Sequence, residues 1–130
     1  MTLDEFRLEM ELYRRSADDD AHALKEPEVA LDQLRTLYKK FDNAERHMAD
    51  QIIAEWTLSD DEKIRFDGLA LIYDFEINKA IPSLKELANR LRLSVTPSAP
   101  YELKKVERIL SKLRAKRNLI GPSHEPKSDG

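Results

Sequence analysis

The chain has no cysteine, only three glycines and an aromatic content of 7%. Without cysteine there is no disulfide framework, no thiolate metal site and no cysteine nucleophile. So few glycines and aromatics argue against a β-sandwich, which needs many tight turns. The longest nearly pure apolar run, Gly68 to Tyr73, is far too short for a membrane span. No glycine-rich loop is present to cradle a phosphate, since Gly121 and Gly130 fall at the C-terminal end and Gly68 stands alone. The start, Met1-Thr2-Leu3-Asp4-Glu5, is acidic and amphipathic, whereas a secretory signal needs a basic start and an apolar stretch. The expectation is a cytoplasmic protein that makes no membrane contact.

What the chain has is charge and helical periodicity. Of its 130 residues, 36% are charged and 41% hydrophobic, enough apolar content for one core. The formal net charge is -3, which disfavours a globally basic nucleic-acid binder. That balance is uneven, with -9 over residues 1–62 and +6 over residues 63–130. Such asymmetry bears on partners more than on fold. The length predicts a single domain, and the helical periodicity makes it all-helical over residues 1–118. Residues 119–130, rich in Pro, Ser and Gly without apolar period, read as a flexible tail.

Six segments carry a helical pattern, and none alternates as a strand. Thr2 and Glu5 form a capping box, after which Leu3, Phe6, Met10, Tyr13 and Ala17 recur at spacings of three and four. The pattern continues through Leu24, with Asp18-Asp19-Asp20 expected on the wet side. A second helix opens at Pro27 and buries Ala30, Leu31, Leu34, Leu37, Tyr38 and Phe41. Asp42-Asn43 stops it and caps a third, which turns Met48, Ala49, Ile52, Ile53 and Trp56 inward. Ser59-Asp60-Asp61-Glu62 reads as a second capping box. The fourth helix behind it is apolar nearly all round, which predicts a central helix covered from two sides. Gly68 in it predicts a close helix approach. A corner at Ile77-Asn78 leads to a fifth helix with Pro82 in its first turn. After a loop over residues 94–100, a sixth helix runs to about Arg117.

Paired, these helices make three antiparallel hairpins at intervals typical of two-helix repeats. Within residues 44–93, Asp60-Asp61-Glu62-Lys63-Ile64-Arg65, Gly68-Leu69-Ala70-Leu71-Ile72 and Ala80-Ile81-Pro82-Ser83-Leu84 resemble a bacterial HEAT-type repeat. The resemblance implies a short HEAT-like α-solenoid with a protein-binding surface. It also implies a ladder in which Asp60 or Asp61 pairs with Arg65.

The residues that carry chemistry elsewhere are sparse. His22, His47 and His124 are the only histidines. Asp19 and His22 share a helix face, but a di-metal bundle needs that motif twice. No catalytic residue, cofactor or metal is expected. Trp56, Tyr13 and Tyr38 lie on apolar stripes and read as core. Two charged zones remain. Lys104, Arg108, Lys112 and Lys116 recur every four residues, with Lys105 beside them, as a basic ridge. Asp18, Asp19, Asp20, Asp60, Asp61 and Glu62 form the acidic zone. A small, acidic, cysteine-free chain of this kind resembles, in type, a bacterial immunity protein. The expectation is therefore a non-enzymatic module that occludes a basic toxin domain through its acidic residues. The alternatives are a HEAT-like scaffold or adaptor, or a nucleic-acid or ribosome-associated protein using the basic ridge.

Overall fold

The computed structural model describes residues 1–120, with side chains through residue 115. It is all-α, with helices α1 (Leu3–Leu24), α2 (Glu28–Lys40), α3 (Asn43–Trp56), α4 (Glu62–Phe75), α5 (Ile81–Leu93) and α6 (Ala99–Ile120). A short 3-10 turn, Asn78–Ala80, precedes α5. The expected tail falls mostly on residues 121–130, which lie outside the described residues, as does His124. No described helix is long and apolar enough to cross a membrane.

Local chemistry explains the starts. Thr2 accepts from the Glu5 amide while Glu5 accepts from the Thr2 amide, and Asp42 and Glu45 repeat the arrangement before α3. The expected box at Ser59 does not form. Asp61 is the cap, its carboxylate accepting from the Lys63 amide, and Ser59 Oγ instead accepts from the Asp61 amide. Short of glycine, the chain ends α1 and α4 on left-handed Lys25 (φ 58°) and Glu76 (φ 54°).

Packing joins neighbours in sequence, α1 with α2, α3 with α4 and α5 with α6. It also joins α1, α3 and α5 in turn, and α2, α4 and α6 in turn. The main core is built on Ile52, Ile53, Leu71, Ile72, Leu84, Val106 and Leu113, all essentially buried. Tyr38 stacks on Phe75 with ring centres 4.3 Å apart. Gly68 permits the expected close approach: a Cβ there would meet Ile53 O and Trp56 Cβ at 3.2 Å and Thr57 Cγ2 at 3.3 Å.

The expectation that α4 is covered from at least two sides holds, since α3, α2 and α6 all pack on it and Lys63 reaches Asp18 of α1. Two expectations about individual side chains are corrected. In α4, Leu69, Leu71 and Ile72 are buried and Phe75 half-buried, but Phe66 (48%) and Tyr73 (41%) are exposed. In α1 the buried line runs Phe6, Met10, Arg14, Ala17 and Ala21, so Arg14 takes the inward place expected of Tyr13. Tyr13 stays exposed.

Candidate protein-binding face

α4 and α6 run side by side in the same direction, with Arg65 against Glu102, Phe66 against Lys105 and Tyr73 against Lys112. At helical spacing, positions 66, 70 and 73 share one face of α4, and positions 101, 105, 108 and 112 share one face of α6. Between these faces lies a groove of about 380 Å³. Leu31 of α2, Leu69, Ala70 and Ile109 form its apolar floor, with Arg35 and Asp74 on one wall and Lys105 and Arg108 on the other. Past Phe66 and Lys105 it continues into a smaller cleft of about 90 Å³, bordered by Tyr101, which is 76% exposed.

The basic ridge of the sequence is divided by this geometry. Lys112 donates to the Tyr73 carbonyl at 2.8 Å, and its ammonium lies 3.7 Å from the Tyr73 ring centre. It thus satisfies a carbonyl at the C-terminal end of α4 rather than of its own helix. Lys105 lies over Phe66, 4.6 Å from the ring centre. Lys104 and Arg108 are exposed. Lys116 lies beyond the residues whose side chains are described. Among the described residues, neither Lys105 nor Arg108 has a carboxylate in ion-pair contact. On the opposite wall the cation is already satisfied, since Arg35 pairs with Asp74 at 2.6 Å and with Asp32 at 2.9 Å.

The acidic zone is divided as well. Asp18 is not on the wet side. It is half-buried, accepting from Arg14 at 3.1 Å and lying 3.4 Å from Lys63 at the start of α4. That ion pair links the acids of α1 to those that open α4. Glu11 also binds Arg14, at 2.7 Å, and this bond holds its carboxyl below the usual range. Beneath the cluster sits Asp67, 3% exposed, whose Oδ2 has no hydrogen-bond partner. Burial, with the Asp18 charge second, pushes its carboxyl up to about 6. Asp20 accepts from Gln33, Asp61 serves as the cap, and Asp19, Asp60 and Glu62 are exposed.

Arg65 does not form the expected ladder with the carboxylates of Asp60 or Asp61. It binds both oxygens of Glu102 on α6, at 2.7 and 3.0 Å, and donates to the Ser59 and Asp60 carbonyls. The bond to Glu102 raises its already high pKa. His22 is exposed at the end of α1. His47 receives Lys79 Nζ at 2.9 Å, beside Asp50, which accepts from the Tyr38 hydroxyl at 2.7 Å. Burial raises both the Asp50 carboxyl and the Tyr38 hydroxyl. The three-residue spacing of His47 and Asp50 reads as a local surface pair, but their partners come from elsewhere in the chain, Lys79 for His47 and Tyr38 of α2 for Asp50. Among the described residues no cluster of three or more metal-ligating side chains occurs.

Sequence reasoning missed Phe66, Tyr73 and Tyr101 as surface residues. Only Tyr101, three residues before Lys104 and beside no apolar partner, carried a local signal. No family model, no curated protein and no solved structure matches the chain.

Proposed function

We propose that this chain is a non-enzymatic protein-binding module working through the face shared by α2, α4 and α6. The observation that carries this reading is the exposure of Phe66 and Tyr73 over an apolar floor, on a helix whose other large apolar side chains are buried or half-buried. Exposed aromatics beside arginine at a concave patch match the composition of protein interfaces.

The architecture we infer behind this face is a short HEAT-like solenoid of three stacked hairpins. Two features support it: α1, α3 and α5 touch in turn, as do α2, α4 and α6, and α4 runs parallel to α6. In such a stack the second helices line one continuous surface.

A narrower reading makes the chain an immunity protein that occludes a basic toxin domain. What favours it is the Asp18–Lys63 pair, which sets the acids of α1 beside Asp60 and Glu62. One experiment serves both readings. A photo-cross-linking amino acid is placed at position 73, at position 19, or at exposed position 85 on α5 as control, and the protein is irradiated in its source organism. A discrete protein adduct from position 73 is expected, with none from position 85. An adduct from position 19 instead would favour the acidic surface. Adducts to nucleic acid, or none from either test position, would refute the module.

A further inference from the structure

The geometry points to an acidic amphipathic helix of a partner protein as the occupant of the α4–α6 groove, an inference that rests on the binding-module reading above. Shape is the first argument. Positions 101 to 112 of α6 span about 16 Å, which is about three turns of a helix laid alongside. Two parallel helices in contact leave a furrow between their axes into which a third helix packs by its side-chain ridge. Leu31, Leu69, Ala70 and Ile109 offer that ridge an apolar floor. Apolar residues at i, i+3 or i+4, and i+7 of the incoming helix would reach it.

Charge is the second argument, and it decides the flanks. The chain is net acidic, yet the rim of this groove is positive. Three carboxylates near the groove are engaged, Asp74 by Arg35, Glu102 by Arg65 and Glu107 by Arg92, while exposed Glu62 borders only the smaller cleft. Lys105 and Arg108 are not engaged in this way, and they stand three residues apart on one helix face. Two carboxylates at i and i+3 or i+4 of the occupant would meet them at the same pitch. An acidic flank is thereby attracted, and a basic one is repelled.

A single nucleic-acid strand fits less well. Stacking platforms need open aromatic faces, and here Lys105 and Lys112 already lie over the rings of Phe66 and Tyr73. Lys112 is also bound to a carbonyl. Two uncompensated cations would hold few phosphates.

The test uses the full chain and a displayed library of helices of about 15 residues, long enough to cover the groove. The library has a fixed apolar stripe and polar positions drawn from Asp, Glu, Lys, Arg and Ser. Selection should enrich Asp and Glu along one flank. The double variant Lys105→Glu, Arg108→Glu should weaken the selected helices about tenfold, and added salt should weaken binding to the unaltered chain. Asp19→Lys should leave binding unchanged. Circular dichroism and the melting temperature of the double variant report whether it is folded. If it is not, Lys105→Ser and Arg108→Ser singly give the same comparison. Neutral or basic flanks, no retained helix, or indifference to the reversal would overturn the inference. Together with a protein adduct at position 73, that outcome would leave the binding module standing. Oligouridylate RNA that binds the chain and is lost in the double variant would sink both.

Discussion

Asp67→Asn is the sharpest probe of the buried charge between α1 and α4. Asp67 is 3% exposed with an unpartnered oxygen, and its carboxyl is pushed from 3.8 to about 6. Burial is the larger cause and repulsion from Asp18 the next, while Lys63 and Arg14 act against them. A folded-state pKa above the unfolded one means that the folded chain binds this proton more tightly. The stability tied to it is complete below pH 3.8 and is lost as pH rises through about 6. A gap of about two units, at about 1.4 kcal/mol each, makes that loss about 3 kcal/mol. Asn keeps the shape and does not titrate. Its stability relative to the unaltered chain should therefore rise by about 3 kcal/mol between about pH 4 and about pH 7.5. A constant penalty from unpaired amide hydrogens would lower both ends alike and leave the slope intact. Urea unfolding followed by the fluorescence of Trp56, itself 7% exposed, measures this at each pH. A difference between the two chains that stays flat with pH would refute the buried, strained carboxylate.

Two further substitutions test the packing around α4. Gly68→Ala gains helix propensity of about 1 kcal/mol, but its new methyl must displace the Ile53 carbonyl and Trp56 Cβ, neither of which is a flexible side-chain end. A net loss of about 1 kcal/mol in urea unfolding is expected, and a net gain would show that α3 yields easily. Glu102→Leu strands the Arg65 guanidinium, only 17% exposed, and should cost about 2–4 kcal/mol. Adding Arg65→Met should recover most of that, as a thermal or urea double-mutant cycle would report. Equal losses in the single and double variants would mean that the pair contributes packing alone.

Much of the fold was legible because its determinants are local. The box at Thr2, the cap at Asp42, Pro82 in the first turn of α5 and the stripe through Ala49, Ile52, Ile53 and Trp56 each lie within a few residues. The failures share one physical origin. Hydropathy reports which side chains favour burial, not on which side a neighbouring helix stands. α4 is apolar nearly all round, but its neighbours leave one side open, so Phe66 and Tyr73 face water. Arg14 carries a charge that periodicity sends outward. It is buried because Glu11 and Asp18 neutralise it from its own helix while Asp67 approaches from α4. Arg65 finds Glu102 at a separation of 37 residues, which no local pattern contains.

The same reasoning governs the candidate site, whose basic half is local and whose aromatic half is not. Lys105, Arg108 and Lys112 form a ridge by spacing within α6, but the rings beside them come mainly from α4. Long-range structure also decides which charges remain to bind. The fold takes Lys112 for the end of α4, Asp61 for its beginning and Asp18 for the Arg14 cluster. A surface charge already satisfied inside the molecule has less to offer a partner, because breaking its internal contact offsets the new one. The effective charge of a binding face is thus what is left after the fold has satisfied itself. On the α4–α6 face that remainder is positive at Lys105 and Arg108, against the sign of the whole chain. For this reason reversal of Asp18 would report on folding, and reversal of Arg108 on binding.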